Sequence, residues 1–381
     1  MSVPIYLDYN ATTPVAPEVA EAMLAYLREH FGNPSSDHVY GRRAAEAVDE
    51  ARAAVAGLIG APPAALFFTG CATEANNLAL RGVARALREQ GRHLIISAVE
   101  HPSVTGPAER LRADGWTVTV LPVDEYGRVD PAALEAALRS DTVLVSVMLA
   151  NNEVGTLQPV AELAALTRPR GILLHTDAAQ AVGRIPVNVD DLGVDLLTLA
   201  GHKFYAPKGV GALYVRPGTS IEPLLVGGGQ ERGLRPGTEN VPHIVALGAA
   251  ARLAAAGLVA EAERLQGLRD RLHARLQAAI AGLRLNGHPD QRLPNTLNLS
   301  FPDVTGRALL DAVADSIAAS VGSACHEDSD AVSGVLAAMG LSPARARGAV
   351  RLSLGRFTSD GDIDRAANVL RQAHARLSAR D

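Results

Sequence analysis

Between residues 66 and 216, seven short aliphatic and β-branched runs occur: LFFT, HLIISAV, TVTVLPV, TVLVSVML, GILLHTD, DLLTLAG and GALYVR. They alternate with segments such as AALEAALRS and VAELAALTR, whose apolar positions recur at helical spacing. Near-continuous apolar strands separated by amphipathic helices predict an α/β fold with a mainly parallel seven-stranded sheet, covered by helices on both faces. Past residue 240 the rhythm changes. A long Ala/Leu/Arg-rich helix over roughly 241–283 leads to TLNLSF, a helix around 307–319, the stretch SVGSACHEDSD, the run AVRLSLG and a last helix from about 361. This order predicts a smaller α+β domain. The expected division is 15–255 for the large domain, and 1–14 with 256–381 for the small one, the long helix being shared.

Composition narrows the function. A chain of 381 residues is longer than one core needs, and a net charge of −5 gives no basic footprint for nucleic acid or an anionic membrane surface. The opening MSVPIYLDYN lacks a basic segment followed by an apolar one, and no run reaches about 18 uninterrupted apolar residues, so a cytoplasmic small-molecule enzyme is expected. The two cysteines, Cys71 and Cys325, cannot build a disulfide framework. Cys325 stands among Ser323, His326, Glu327, Asp328 and Asp330, all water-preferring, which marks an accessible thiol. A metal site from these neighbours is disfavoured, because adjacent loop side chains rarely converge on one tetrahedral centre.

Ligands of parallel α/β sheets bind beyond the carboxyl ends of the strands. After LFFT, the turn GCATEANN enters a helix whose free N–H groups, with the hydroxyl of Thr73, suit a phosphate. His101 follows ISAVE, and Asp177, with Gln180 nearby, ends LLHTD, where a carboxylate can keep a pyridine nitrogen protonated. Lys203 follows DLLTLAGH, where a partly desolvated amine can form a Schiff base. Each residue alone has a structural reading, as a cap, a turn or a surface charge. Together, phosphate cradle, carboxylate, imidazole and amine describe a site for pyridoxal 5'-phosphate.

With these motifs the sequence resembles the cysteine desulfurases and selenocysteine lyases, pyridoxal-phosphate enzymes of aminotransferase fold type I. The likeness runs from YLDYNATTPV through FGNPSS, ATEANN, VEH, NNEVG, HTDAAQ, GHKFYAPKG, GGGQERGLRPGTEN, LPNTLNLSF and GSAC to VRLSLGRFT, covering nearly the whole chain. The resemblance implies that Lys203 is the Schiff-base lysine, Asp177 the partner of the pyridine nitrogen and His101 the ring stacked on the cofactor. Thr73 and His202 match phosphate ligands, and Gln180 and Asn152 match contacts to the phenolic oxygen or substrate. Asn33 and Arg351 match a substrate carboxylate clamp, with Arg351 able to bind both oxygens. Thr238 matches a threonine that reaches the phosphate of the partner subunit, which implies a homodimer. Cys325 matches the catalytic cysteine that takes sulfur or selenium from L-cysteine or L-selenocysteine and passes it to an acceptor protein.

Three positions depart from the family pattern. Cys71 occupies a site that is normally glycine, and Ala200 stands where many relatives carry a serine phosphate ligand. VGSACH leans towards the selenocysteine lyases, but those enzymes carry an acidic residue directly after the stacking histidine, where this chain has Pro102. The expectation is therefore a cysteine desulfurase, with selenocysteine lyase as the alternative.

Overall fold

The computed structural model describes residues 3–322 and 332–379. In chain order its strands are β1 (Ile5–Tyr6), β2 (Leu66–Thr69), β3 (His93–Ser97), β4 (Thr117–Leu121), β5 (Thr142–Ser146), β6 (Leu173–Asp177), β7 (Leu196–Ala200), β8 (Gly211–Val215), β9 (Arg284–Asn286), β10 (Thr296–Ser300), β11 (Ile317–Ala318) and β12 (Ala349–Ser353). Strands β2 to β8, the seven expected runs, form one sheet in the order β2-β8-β7-β6-β5-β3-β4. Only β8 runs against its neighbours. The carboxyl ends of β2, β3, β5, β6 and β7 therefore share one edge.

Alternation along the strands loads both faces of this sheet. In β3, Ile95 enters a core completed by the helices Val39–Leu58 and Val160–Thr167. Its neighbours Leu94 and Ile96 join the core beneath the helices Ala72–Leu87 and Pro102–Ala113. With both faces covered, strand ends are the places where a polar side chain reaches open space.

The second region is antiparallel, β12-β10-β9, flanked by the parallel pair β1-β11. The helix Val241–Ala279 joins the two regions. Its first part, Val241 to Ala251, packs into the large-sheet core, and Leu265, Leu268, Leu272 and Leu276 pack into the core under β10 and β12. The helix is long and apolar enough to cross a bilayer by composition alone, yet these apolar side chains fill the two cores.

The helix expected around 307–319 is shorter than its pattern suggested. It spans Gly306–Asp311, and Ile317–Ala318 forms strand β11 instead. Pairing with β1 decides this, since Ile5 N donates to Ser316 O and Leu7 N to Ala318 O, both at 2.8 Å. Ladder bonds to a distant segment outweigh the local helical pattern.

Candidate functional site

A cavity of about 320 Å³ opens at the shared strand edge. It is lined by Cys71, Ala72 and Thr73 after β2, His101 and Ser103 after β3, and Met148, Ala150 and Asn152 after β5. Asp177 and Gln180 at the end of β6, and Ala200, His202 and Lys203 at the end of β7, line it too, together with Asn10, Ala11 and Arg351. Eight of the residues singled out from sequence thus converge: Thr73, His101, Asn152, Asp177, Gln180, His202, Lys203 and Arg351.

Lys203 Nζ donates to Asn10 O at 2.6 Å and Ala11 O at 2.8 Å. Burial, helped by the charges of Arg184 and Arg351, pulls its pKa from the ordinary lysine range down to about 7. The amine is thus partly neutral at physiological pH, which a nucleophilic amine requires. Just beyond it, Tyr205 takes a left-handed φ of 73°, held by a bond from Tyr205 N to Thr13 Oγ1 at 2.9 Å. Strain of this kind costs about 1–3 kcal/mol and persists where surrounding contacts over-determine the turn.

Asp177 is 6% exposed; its Oδ1 accepts from Ala179 N at 2.9 Å and its Oδ2 from Asn76 Nδ2 at 2.7 Å. His101 caps the helix Pro102–Ala113, with Nδ1 accepting from Ser103 N at 3.1 Å. Burial holds His101 below the ordinary histidine pKa, with Lys203 acting in the same direction and Asp177 against it. His202 is pushed down to about 4, first by burial and then by Lys203, Lys208 and Arg184, so its ring is neutral near pH 7. Glu100 accepts from Ser97 Oγ at 2.6 Å and from Met148 N at 2.8 Å, and burial raises its pKa to about 8.

Arg351 enters from β12. Its Nη2 pairs with Asp8 Oδ1 at 2.7 Å, its Nη1 donates to Asn152 O at 3.1 Å, and its buried Nε has no partner among the described residues. Arg351 lines the cavity, and its planar guanidinium fork suits an incoming carboxylate.

These features fit pyridoxal 5'-phosphate. Amine, carboxylate and imidazole share one cavity, and the N-terminus of helix Ala72–Leu87, with Thr73, offers free N–H groups to an anion. Gly211 permits this close approach, because a Cβ there would lie 2.9 Å from Cys71 C and 3.1 Å from Ala72 N. Ala200 contributes a methyl group to the cavity, so the serine anchor of many relatives is absent there.

Two expected residues do not reach the cavity within this chain. Asn33 is exposed, and its Oδ1 accepts from Ser35 N at 2.9 Å, closing a local turn in place of a clamp. Thr238 is exposed on the segment after the turn Gln230–Gly233. Cys325 lies outside the described residues.

Sequence reasoning missed Asn10, Arg184, Asn76 and Ser103. Arg184 is buried and donates to Tyr9 O at 2.8 Å, to Asn10 Oδ1 at 2.8 Å and to Gln180 Oε1, while Gln180 Nε2 donates at 3.0 Å to Asn10 O, one of the carbonyls that receive Lys203. YLDYN and ATEANN contain Asn10 and Asn76, but nothing in either motif says which of their polar atoms face the cavity.

Residues 5–366 match the profile of the family described as aminotransferase class-V. The chain is 47% identical over 374 residues to the cysteine desulfurase IscS of Dictyoglomus turgidum, covering 98% of this chain and 95% of that one. It is 48% identical over 367 residues to IscS of an Anaeromyxobacter species, covering 96% and 91%. Among solved structures, a NifS-like protein superposes with a TM-score of 0.91 at 38% identity, covering 99% of this chain and all (100%) of that one. The structure of SspA in complex with cysteine superposes with a TM-score of 0.82 at 36% identity, covering 93% and 99%. With its fold, its strand-end site and its relatives in agreement along nearly the full length, the chain belongs to the cysteine desulfurase family of class-V aminotransferases.

Proposed function

We propose that the protein is a pyridoxal 5'-phosphate-dependent cysteine desulfurase that converts L-cysteine to L-alanine and leaves the sulfur on Cys325 as a persulfide. The observation that carries this reading is the convergence of a desolvated Lys203, a buried Asp177, His101 and the guanidinium of Arg351 on one cavity. Full-length likeness to enzymes named cysteine desulfurase supports the choice of substrate.

The bound cofactor supplies an electron sink that weakens the bonds around the substrate's Cα. Lys203 would hold it through its amine, and Asp177 would keep a proton on the pyridine nitrogen. Thr73, His202 and the adjoining helix N-terminus take the phosphate, while Gln180 and Asn152 contact the phenolic oxygen or the substrate. Arg351 orients the substrate through its carboxylate. The Cys325 thiolate then forms an S–S bond as the substrate's C–S bond breaks, and a proton completes alanine. The segment leading to Cys325 starts beside the clamp, since Arg351 N donates to Ser320 O at 2.7 Å.

A homodimer is part of this proposal. It is supported by Thr238, which matches a ligand of the partner's phosphate, and by exposed apolar side chains nearby in sequence, Val226 at 97% and Leu225 at 58%. A sulfur-acceptor protein completes the cycle by removing the persulfide. Selenocysteine lyase activity is the second reading. Pro102, at the first turn of helix Pro102–Ala113, brings no charge beside His101 and so favours cysteine.

Alanine release from L-cysteine and L-selenocysteine, by wild type and Cys325→Ala, tests the assignment. Turnover of cysteine that the variant loses is expected. Consumption of selenocysteine alone would overturn the desulfurase reading, and full activity of the variant would overturn the persulfide.

A further inference from the structure

His101 Nδ1 is turned towards its own helix, where it faces two groups of Ser103. The backbone N of Ser103 lies 3.1 Å away and the hydroxyl 2.8 Å away. A backbone N–H can only donate, so Nδ1 must offer its lone pair and the hydrogen of the neutral ring sits on Nε2. Ser103 Oγ in turn accepts from Asn76 Nδ2 at 2.8 Å, which directs its own hydrogen to Nδ1. The other hydrogen of Asn76 Nδ2 goes to Asp177 Oδ2 at 2.7 Å.

The polarity of this chain is fixed at its far end. Rotating the Asn76 amide would set Oδ1 against the Asp177 carboxylate, acceptor against acceptor. The observed orientation leaves Asn76 Oδ1 buried with no partner among the described residues. A fully buried Asn76 keeps that cost, about 1–3 kcal/mol for a lone polar atom, so both of its donors can be used.

We propose that Asn76 and Ser103 are positioning residues that tie Asp177 to His101 and hold His101 as the Nε2–H tautomer, with Nε2 left for the cavity. The proposal rests on Asp177 and His101 being the ring contacts of the cofactor. Its consequence is that resting His101 presents a hydrogen-bond donor and not a base. It favours an acceptor such as the thiolate form of the substrate, and the thiol proton must leave by another group. Burial and Lys203 oppose protonation of the ring, Asp177 favours it, and the preceding Glu100 is turned to Ser97 and Met148 N.

Histidine ¹⁵N resonances of the cofactor-free protein, with His101 assigned through His101→Gln, read the tautomer directly. Wild type should show a protonated Nε2 and a bare Nδ1. Ser103→Ala should move the tautomer ratio about fivefold towards Nδ1–H, the factor equivalent to one neutral hydrogen bond. Asn76→Ala should move it the same way, and Ser103→Thr should restore it. A wild-type Nδ1–H tautomer, or a ratio unmoved in both alanine variants, overturns the relay, and the wild-type spectrum decides even if a variant does not fold. Failure of the cofactor reading is a separate result: wild type incubated with pyridoxal 5'-phosphate would show no visible absorbance band, whatever the tautomer.

Discussion

Two cations serve one cavity, and the two regions hold them differently. Lys203 leaves the large sheet just past the end of β7, where its ammonium donates to the backbone carbonyls of Asn10 and Ala11 and burial lowers its pKa to about 7. Arg351 sits in the middle of β12, its backbone paired with Asn298 on one side and Ser320 on the other, and its guanidinium pairs with Asp8 at 2.7 Å. A strand end gives a side chain surroundings made of loops, and the chain can desolvate a group there until it titrates. A mid-strand position gives a fixed direction and a permanent charge, which must be paired. The first suits a group that changes its bonding; the second suits one that orients.

Exchanging those properties should break the contrast most severely at Lys203. Lys203→Ala should abolish alanine formation, by at least about 10³-fold, and remove the cofactor's visible band. Lys203→Arg should fail as well, because a guanidinium does not lose its proton near neutrality. At the other cation, Arg351→Lys keeps the charge and loses the fork. The KM for L-cysteine should rise about 10- to 100-fold, the equivalent of a charge-assisted hydrogen bond, with kcat changed less. A fall in kcat at constant KM would remove Arg351 from the clamp.

The regions should also differ in what their ion pairs contribute to stability. In the large region, buried Arg52 makes a bidentate pair with Glu231 at 2.8 and 2.7 Å, which holds the left-handed residues Glu231 and Arg232 against β2. Arg52→Ala should cost about 3–5 kcal/mol in urea unfolding, because it strands a buried carboxylate. Arg271 of the long helix pairs with Asp360 and Asp364 in the open, and Arg271→Ala should cost under about 1 kcal/mol.

The smallest effect expected is a shift in pH profile. The free Lys203 amine has a pKa lowered to about 7, so capture of pyridoxal 5'-phosphate by the cofactor-free protein, read from the visible band, should rise with pH through that point. Asp8 is among the charges that hold this pKa up. Asp8→Asn should therefore move the rising limb to lower pH, and a limb that stays in place would assign it to another group.

The strands β3, β5, β7 and β8 were legible because a strand buried on both faces has to be continuously apolar, and the half-exposed edge strand β4 was marked by its β-branched residues. Residues 307–319 misled because two short segments, β1 and β11, find each other only in the folded chain. The site divides in the same way. Lys203, Asp177 and His101 were legible as polar residues at the ends of apolar runs, where an α/β sheet collects its ligands. The place of Asn33 was not legible, since its side chain closes a turn beside it, outside the cavity of its own chain.

The sequence by itself determined the fold class, the strand-end residues and the membership of the family, because periodicity and motif are properties of the chain taken in order. Only the tertiary structure decided that Arg184 holds Tyr9 and Asn10 beside Lys203, that Asp8 faces Arg351 and that Asn76 and Ser103 join Asp177 to His101. The reason is that these roles depend on which donor meets which acceptor, across as many as 343 residues of chain, and hydrogen-bond direction leaves no periodic trace in a sequence.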